Sequence, residues 1–181
     1  MKQEVELTKK LKNPKLKNKA FKELLDLYQE RLYWHIRKIV ITHDNTNDVL
    51  QETFIRIYKG ITNFKEKSSL HTWMYRIAYN ESLRFIEKNK RNSSVSFEED
   101  TNLYLNTLME DSYFNGNELQ LKLQTIISKL SEKQQRVFQM KYFDDLSFRE
   151  MSEILNVSEN TLKSSYYSIV KTIEEKILVS Y

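Results

Sequence analysis

From Ala20 onward the apolar positions follow the period of a helix. Phe21, Leu24, Leu25, Tyr28, Leu32, Ile36, Ile39 and Val40 recur at spacings of three and four, which puts them on one face. A polar break at Thr42–Asn47 ends that stripe. Leu50, Phe54, Ile57 and Ile61 form a second stripe, with Gly60 as its stop. Asn63–Ser69 reads as a loop. A third helix begins near Leu70, carries Trp73, Ile77 and Phe85, and runs into Lys88, Lys90 and Arg91. Asn92–Asn117 is polar and acidic, with isolated apolar residues, and is the linker candidate. Helical patterning resumes with Leu119, Leu121, Leu123, Ile126, Ile127 and Leu130. Ser131–Gln134 and Ser147–Glu150 have the spacing of capping boxes, and Ser158 can cap a further helix. The first 18 residues have no clear period and are expected to be a flexible tail. The pattern predicts an all-α chain with about four helices on each side of the linker. Its parts are a tail over 1–18, a helical domain over 19–92, a linker over 93–118 and a second helical domain over 119–181.

Composition removes several classes of function. The 181 residues include two glycines (Gly60 and Gly116), one proline (Pro14) and no cysteine. Turn-rich β folds and Gly-rich phosphate loops are excluded on that count. Disulfides, thiolate metal sites and cysteine nucleophiles are excluded outright. His35, His43 and His71 are scattered without metal-ligand spacing, so neither a metal nor a cofactor is expected. No nucleophile–base arrangement can be read, and an enzyme is the weakest class. No apolar run is long enough to cross a membrane, and the charged N-terminus lacks a signal-peptide core. A cytoplasmic protein is expected.

The formal charge of +4 hides a partition. Residues 1–91 hold 20 basic and 11 acidic residues, whereas 92–121 hold six acidic residues and no basic one. Residues 122–181 hold nine basic and eight acidic residues. A basic half can bind nucleic acid or an anionic membrane, and it can also be a solvated surface of uneven charge.

Residues 147–171 carry a more specific pattern. A helix from Ser147 directs Met151, Ile154 and Leu155 inward. Asn156 follows where the chain must turn sharply, and asparagine is second only to glycine in the left-handed conformation. Val157 is placed to plug the turn, Ser158 caps the next helix, and Leu162 and Tyr166 face inward. This is the spacing of a helix-turn-helix, whose second helix can enter a major groove. An ordinary helical hairpin has similar spacing. The exposed face of the second helix is expected to carry Glu159, Asn160, Lys163, Ser164, Tyr167, Ser168 and Lys171. Asn160, Ser164 and Tyr167 can bond base edges or phosphates, and Lys163 and Lys171 can neutralise phosphates.

In the first half, a D-x-x-Q-E face precedes a polar loop and an aromatic helix. Trp73, Tyr75 and Tyr79 there interleave with Arg76 and Arg84, a mixture suited to single-stranded nucleic acid. Trp73 also suits a core position. Here the sequence resembles the extracytoplasmic-function (ECF) sigma factors, small promoter-specificity subunits of bacterial RNA polymerase. D-x-x-Q-E-x-F from Asp48 and F-x-x-x-S-S-L-x-T-W-M-Y-R-I-A-x-N from Phe64 carry the resemblance to sigma region 2. L-S-x-K-Q-x-x-V-F from Leu130 and L-S-x-x-E-M-S-E-I-L-x-V-S-x-x-T-L-K-S from Leu146 carry it to sigma region 4.

The resemblance implies a role for each matching position. Asp48, Gln51, Glu52 and Arg56 correspond to the surface that grips the clamp coiled coil of core polymerase, whose flap is the second contact. Phe64, Lys65, Ser68, Ser69, Thr72, Trp73, Arg76 and Asn80 correspond to the part that melts the −10 element and captures a flipped base. A flipped base needs apolar walls and a few hydrogen-bond partners. Phe64 is the expected wall, and Ser68, Ser69 and Asn80 are the partners. Lys65, Lys67, Arg84, Lys88 and Arg91 are placed to hold the DNA backbone. Ser158, Asn160, Thr161, Lys163, Ser164, Tyr167, Ser168 and Lys171 correspond to the −35 reader. Promoter DNA and an anti-sigma factor are the other implied partners. Association with the nucleoid in the holoenzyme is implied as well. The linker corresponds to a segment that threads the channel later taken by RNA. Its roughly 26 residues reach on the order of 80 Å when extended.

Two departures stand out. The family's recognition helix usually reads T-V-K-S-R-L-x-R-A-R, and its arginine positions here are Ser165, Ser168 and Val170. Fewer phosphate contacts and a shallow salt dependence are expected. Ser152 replaces the usual alanine in the turn. A free-standing helix-turn-helix regulator is the runner-up, but it needs no D-x-x-Q-E face. A helical adaptor that binds only protein is the third reading.

Overall fold

The computed structural model describes residues 2–92 and 118–178, all of them helix or connecting turn. The chain divides into two compact units, Met1–Asn89 and Lys90–Tyr181. The expected linker over 93–118 lies outside the described residues except at its last position. The Arg91 side chain is also outside them.

The first unit holds helices α1 (Lys2–Lys12), α2 (Lys17–Val40), α3 (His43–Gly60) and α4 (Leu70–Asn92). A single 3-10 turn, Ile61–Asn63, follows α3. The tail expected over 1–18 is corrected here, because most of it is α1 and the start of α2. An 11-residue helix rich in lysine is marginal alone in water. What holds α1 is tertiary: Leu7 and Leu11 are buried against α2 and the 3-10 turn. Burying each such side chain contributes about 1.5–3 kcal/mol.

Helix α2 buries Leu24, Leu32, Ile36 and Val40, as its stripe predicts. It also buries His35 and Arg37. The ring of His35 lies 4.8 Å from that of Tyr75 on α4. The turn into α3 is tight. Thr42 N–H reaches the Val40 carbonyl at 2.9 Å, which forces Ile41 to φ 73°. Such an angle is strained for a β-branched residue. Thr42 then caps α3 by accepting from Asn45 N–H.

Gly60 closes α3 for a reason the sequence does not announce. Its φ is −84°, so no left-handed stop is made. A Cβ there would stand 3.2 Å from the Trp73 indole. Close approach, not a left-handed angle, is what favours glycine.

The second unit holds α5 (Glu118–Ser128), α6 (Glu132–Tyr142), α7 (Phe148–Leu155) and α8 (Glu159–Leu178). Helix α8 packs against the other three and buries Leu162, Ile169 and Ile173. Both capping boxes form, Ser131 with Gln134 and Ser147 with Glu150. Asn156 ends α7 at φ 55°, ψ 44°, the left-handed angle read from the sequence. Met151 and Ile154 are buried, whereas Leu155 is half-buried. Val157 is corrected: it is exposed and does not plug the turn. Leu146, just before α7, is fully buried. Among the described residues no helix is long and apolar enough to cross a membrane.

Candidate polymerase and nucleic-acid interfaces

Helix α3 is amphipathic, and its two faces separate cleanly. Val49, Leu50, Thr53, Phe54 and Ile57 point into the unit. Asp48, Gln51, Glu52 and Arg56 all lie on the exposed side, at spacings of three, one and four. Ile55 is exposed beside them, an apolar member of the face that the sequence reading missed. Arg56 is less free than the pattern suggests. Its Nε lies 3.1 Å from Glu52 and 2.8 Å from Glu81, a buried carboxylate on α4. Arg84 pairs with the same Glu81. Glu81 was not among the predicted site residues. The signal for it is its place four residues before Phe85, where an apolar residue would fit the stripe.

The loop over 64–69 and the first turns of α4 hold the second group. Phe64 is buried, its ring centroid 4.9 Å from that of Trp73 and tilted by 32°. Ser69 caps α4: its Oγ accepts from Thr72 N–H at 2.9 Å and lies 2.7 Å from the Thr72 hydroxyl. Thr72 is buried. Ser69 and Thr72 are therefore engaged with each other. Ser68 is half-buried, and Lys65 and Lys67 are exposed. Beyond the first turn, half-buried Trp73 and Arg76 share one face of α4 with exposed Asn80, Arg84 and Lys88. Met74, Tyr75, Ala78 and Tyr79 lie on the buried side.

Two neighbours of this loop come from outside the predicted set. Lys12 of α1 pairs with Glu66 and lies 5.7 Å from the centre of the Phe64 ring. Glu4 of α1 accepts from His71 N–H at 2.8 Å. Burial, with the Glu4 charge adding to it, pushes the Tyr28 phenol above its ordinary range.

The third group is on α8. Ser158 caps it, accepting from Thr161 N–H at 3.2 Å, and its hydroxyl lies 2.8 Å from that of Thr161. Asn160, Lys163, Ser164, Tyr167, Ser168 and Lys171 are all exposed, as the helix-turn-helix spacing predicts. Glu159 draws Lys163 to 3.8 Å, and Glu175 draws Lys171 to 4.0 Å. Tyr167 is 63% exposed and offers an aromatic surface on this face. Its ring backs onto Tyr166 at 5.7 Å and Phe148 at 6.4 Å. Burial, then the neighbouring Tyr142 and Tyr167, raise the Tyr166 phenol. Among the described residues no group of three histidine or carboxylate side chains is placed to hold a metal.

Three comparisons bear on these surfaces. The sigma-70 region 2 family matches residues 24–92, and the sigma-70 region 4 family matches 120–173. The ECF RNA polymerase sigma factor SigW of Bacillus subtilis is 32% identical over 154 residues, which is 80% of this chain and 82% of that one. The ECF RNA polymerase sigma-E factor of Haemophilus influenzae is 29% identical over 167 residues, 88% of each chain. The sigma factor RpoE of Bartonella quintana, solved in complex with the anti-sigma factor NepR, shares the fold. Its TM-score is 0.68 at 18% identity, over 90% of this chain and 99% of that one. Motifs, fold and relatives agree: the chain belongs to the ECF family of RNA polymerase sigma factors.

Proposed function

We propose that the three surfaces divide the work of a promoter-specificity subunit. The α3 face with Asp48, Gln51, Glu52 and Arg56 docks on the clamp coiled coil of core polymerase. The 64–69 loop and the Trp73–Asn80 strip open the −10 element, with Lys65, Lys67, Arg84, Lys88 and Arg91 on the strand backbone. The exposed face of α8 reads the −35 element in duplex DNA. No bond is made or broken by the protein itself. It supplies binding energy that favours the opened strand over the paired one. The domain limits proposed are 19–92 and 119–181, joined by the acidic 93–118 segment.

The observation that carries this reading is the Arg56–Glu81–Arg84 relay. Glu81 binds one arginine from the α3 face and one from the α4 strip. Polymerase docking and strand capture are thereby proposed to share one carboxylate that links α3 to α4. Because RpoE was solved in complex with an anti-sigma factor, such a factor is proposed as a partner of this chain. The proposed location is the cytoplasm, on the nucleoid when in holoenzyme.

Run-off transcription tests the reading. Purified protein is added to bacterial core polymerase on genomic fragments from the source organism, with core alone as control. Discrete protein-dependent start sites are expected, and their alignment gives both promoter elements. Absence of core binding by folded protein would overturn the assignment of the α3 face.

A further inference from the structure

Loop 64–69 is gripped from outside, and both grips come from α1. At its far end, Glu4 accepts the His71 N–H at 2.8 Å, at the second residue of α4. Ser69 takes the next one, from Thr72, at 2.9 Å. Two otherwise orphan donors of the first turn are satisfied this way, one from α1 and one from the loop. At the near end, Lys12 pairs with Glu66 and sits over Phe64. Glu66 has φ 55°, the left-handed angle that side chains avoid, so its neighbours must hold it there. Leu7 and Leu11 already anchor α1 by burial. Glu4 and Lys12 are half-buried and reach past that anchor to the loop and to the start of α4. Helix α1 also lies before the stretch matched by region 2, which starts at residue 24.

We propose that α1 is a positioning element for the −10 loop, with Glu4 and Lys12 fixing its shape from both ends. The inference rests on the reading that loop 64–69 takes a base from the opened strand. Lys12 sets the left-handed bend at Glu66, and so the direction in which Lys65 and Lys67 leave the loop. Glu4 holds the first turn of α4 intact, and with it the start of the helix that carries Trp73 and Arg76. Neither residue needs to touch DNA.

The test uses full-length protein in holoenzyme, at the strongest promoter found by run-off transcription. Opening is read from a 2-aminopurine placed in the −10 element and repeated with each −10 base replaced. Core affinity and thermal unfolding are measured alongside. Lys12→Glu should lower open-complex formation about tenfold, and flatten discrimination between −10 bases, at unchanged core affinity. Lys12→Glu with Glu66→Lys should recover most of both. Glu4→Ala should act in the same direction as Lys12→Glu. If Lys12→Glu does not fold, Lys12→Met and Glu4→Ala decide by the same readout. Normal opening in these variants, with opening lost in Lys65→Ala and Ser68→Ala, overturns the role of α1 and spares the loop reading. Normal opening in the loop variants too overturns the loop reading and the proposal with it. A loss that follows unfolding temperature, with −10 discrimination intact, reduces α1 to scaffold and also overturns the proposal.

Discussion

Gly60 and Asn156 are both turn-type residues, yet different physics fixes them. Gly60 is helical and gives room to Trp73. Alanine there gains about 0.5–1 kcal/mol of helix propensity, while its Cβ pushes on an indole that is only half-buried and can yield. Gly60→Ala is therefore expected to keep or raise the unfolding temperature and to impair promoter opening by displacing Trp73. Tryptophan fluorescence isolates the effect, because Trp34 and Trp73, the chain's only tryptophans, both lie in the first unit. Asn156, at φ 55°, is the opposite case. Asn156→Ala should cost about 1 kcal/mol and Asn156→Gly close to nothing. For a unit of this size that is a drop of about 4–8 °C in melting temperature, read by circular dichroism. The left-handed angle at Asn156 was legible because asparagine sits between an apolar stripe and a capping serine. The role of Gly60 was not, because nothing in its neighbourhood of sequence names Trp73, thirteen positions on.

At the scale of elements, α8 shows how far a face can be read in advance. Every residue assigned to its outer face is exposed, since a 3.6-residue period with Leu162, Ile169 and Ile173 buried leaves the helix no other rotation. Its electrostatics were only half legible. The missing arginines are visible in the sequence, but the drawing of Lys163 and Lys171 toward Glu159 and Glu175 is not. With two cations on this face, its share of the salt slope for promoter binding should be about −2. Ser168 is exposed and stands at one of the arginine positions of the family's usual pattern, so Ser168→Arg should steepen the slope by about 0.9. Measuring affinity for a −35 duplex from low to moderate salt checks this, and an unchanged slope would remove Ser168 from the DNA face. Helix α1 is the element that sequence reading lost. Two buried leucines among four lysines make no stripe, and its stability comes from surfaces that exist only once α2 and the 3-10 turn have formed. Glu81 was lost for the same reason, because a buried carboxylate makes sense only beside Arg56 and Arg84.

Over the whole molecule, charge is sorted by function. The excess of basic residues lies in 1–91, where single-stranded DNA is proposed to bind, and 92–121 carries six carboxylates and no cation. Free sigma factor faces two polyanions, the wrong DNA and the RNA that must later occupy its channel. We propose that the strip of carboxylates between the two units acts on both, repelling non-specific DNA from the free protein and suiting channel walls that hold RNA phosphates. Replacing Glu98, Glu99, Asp100, Glu110, Asp111 and Glu118 by the corresponding amides tests the pair of effects together. Chain length and side-chain size stay nearly constant, so the reach of the segment is preserved and only its charge changes. The free variant should bind random duplex DNA more tightly, with a steeper salt dependence. Its holoenzyme should assemble less readily, read by competition with the unaltered protein for a limiting amount of core. These changes run in opposite directions, which a general loss of folding cannot produce. Tighter random binding with normal assembly would leave the strip a role in the free protein alone. No change in either would make it a spacer whose charge serves only to keep it in water.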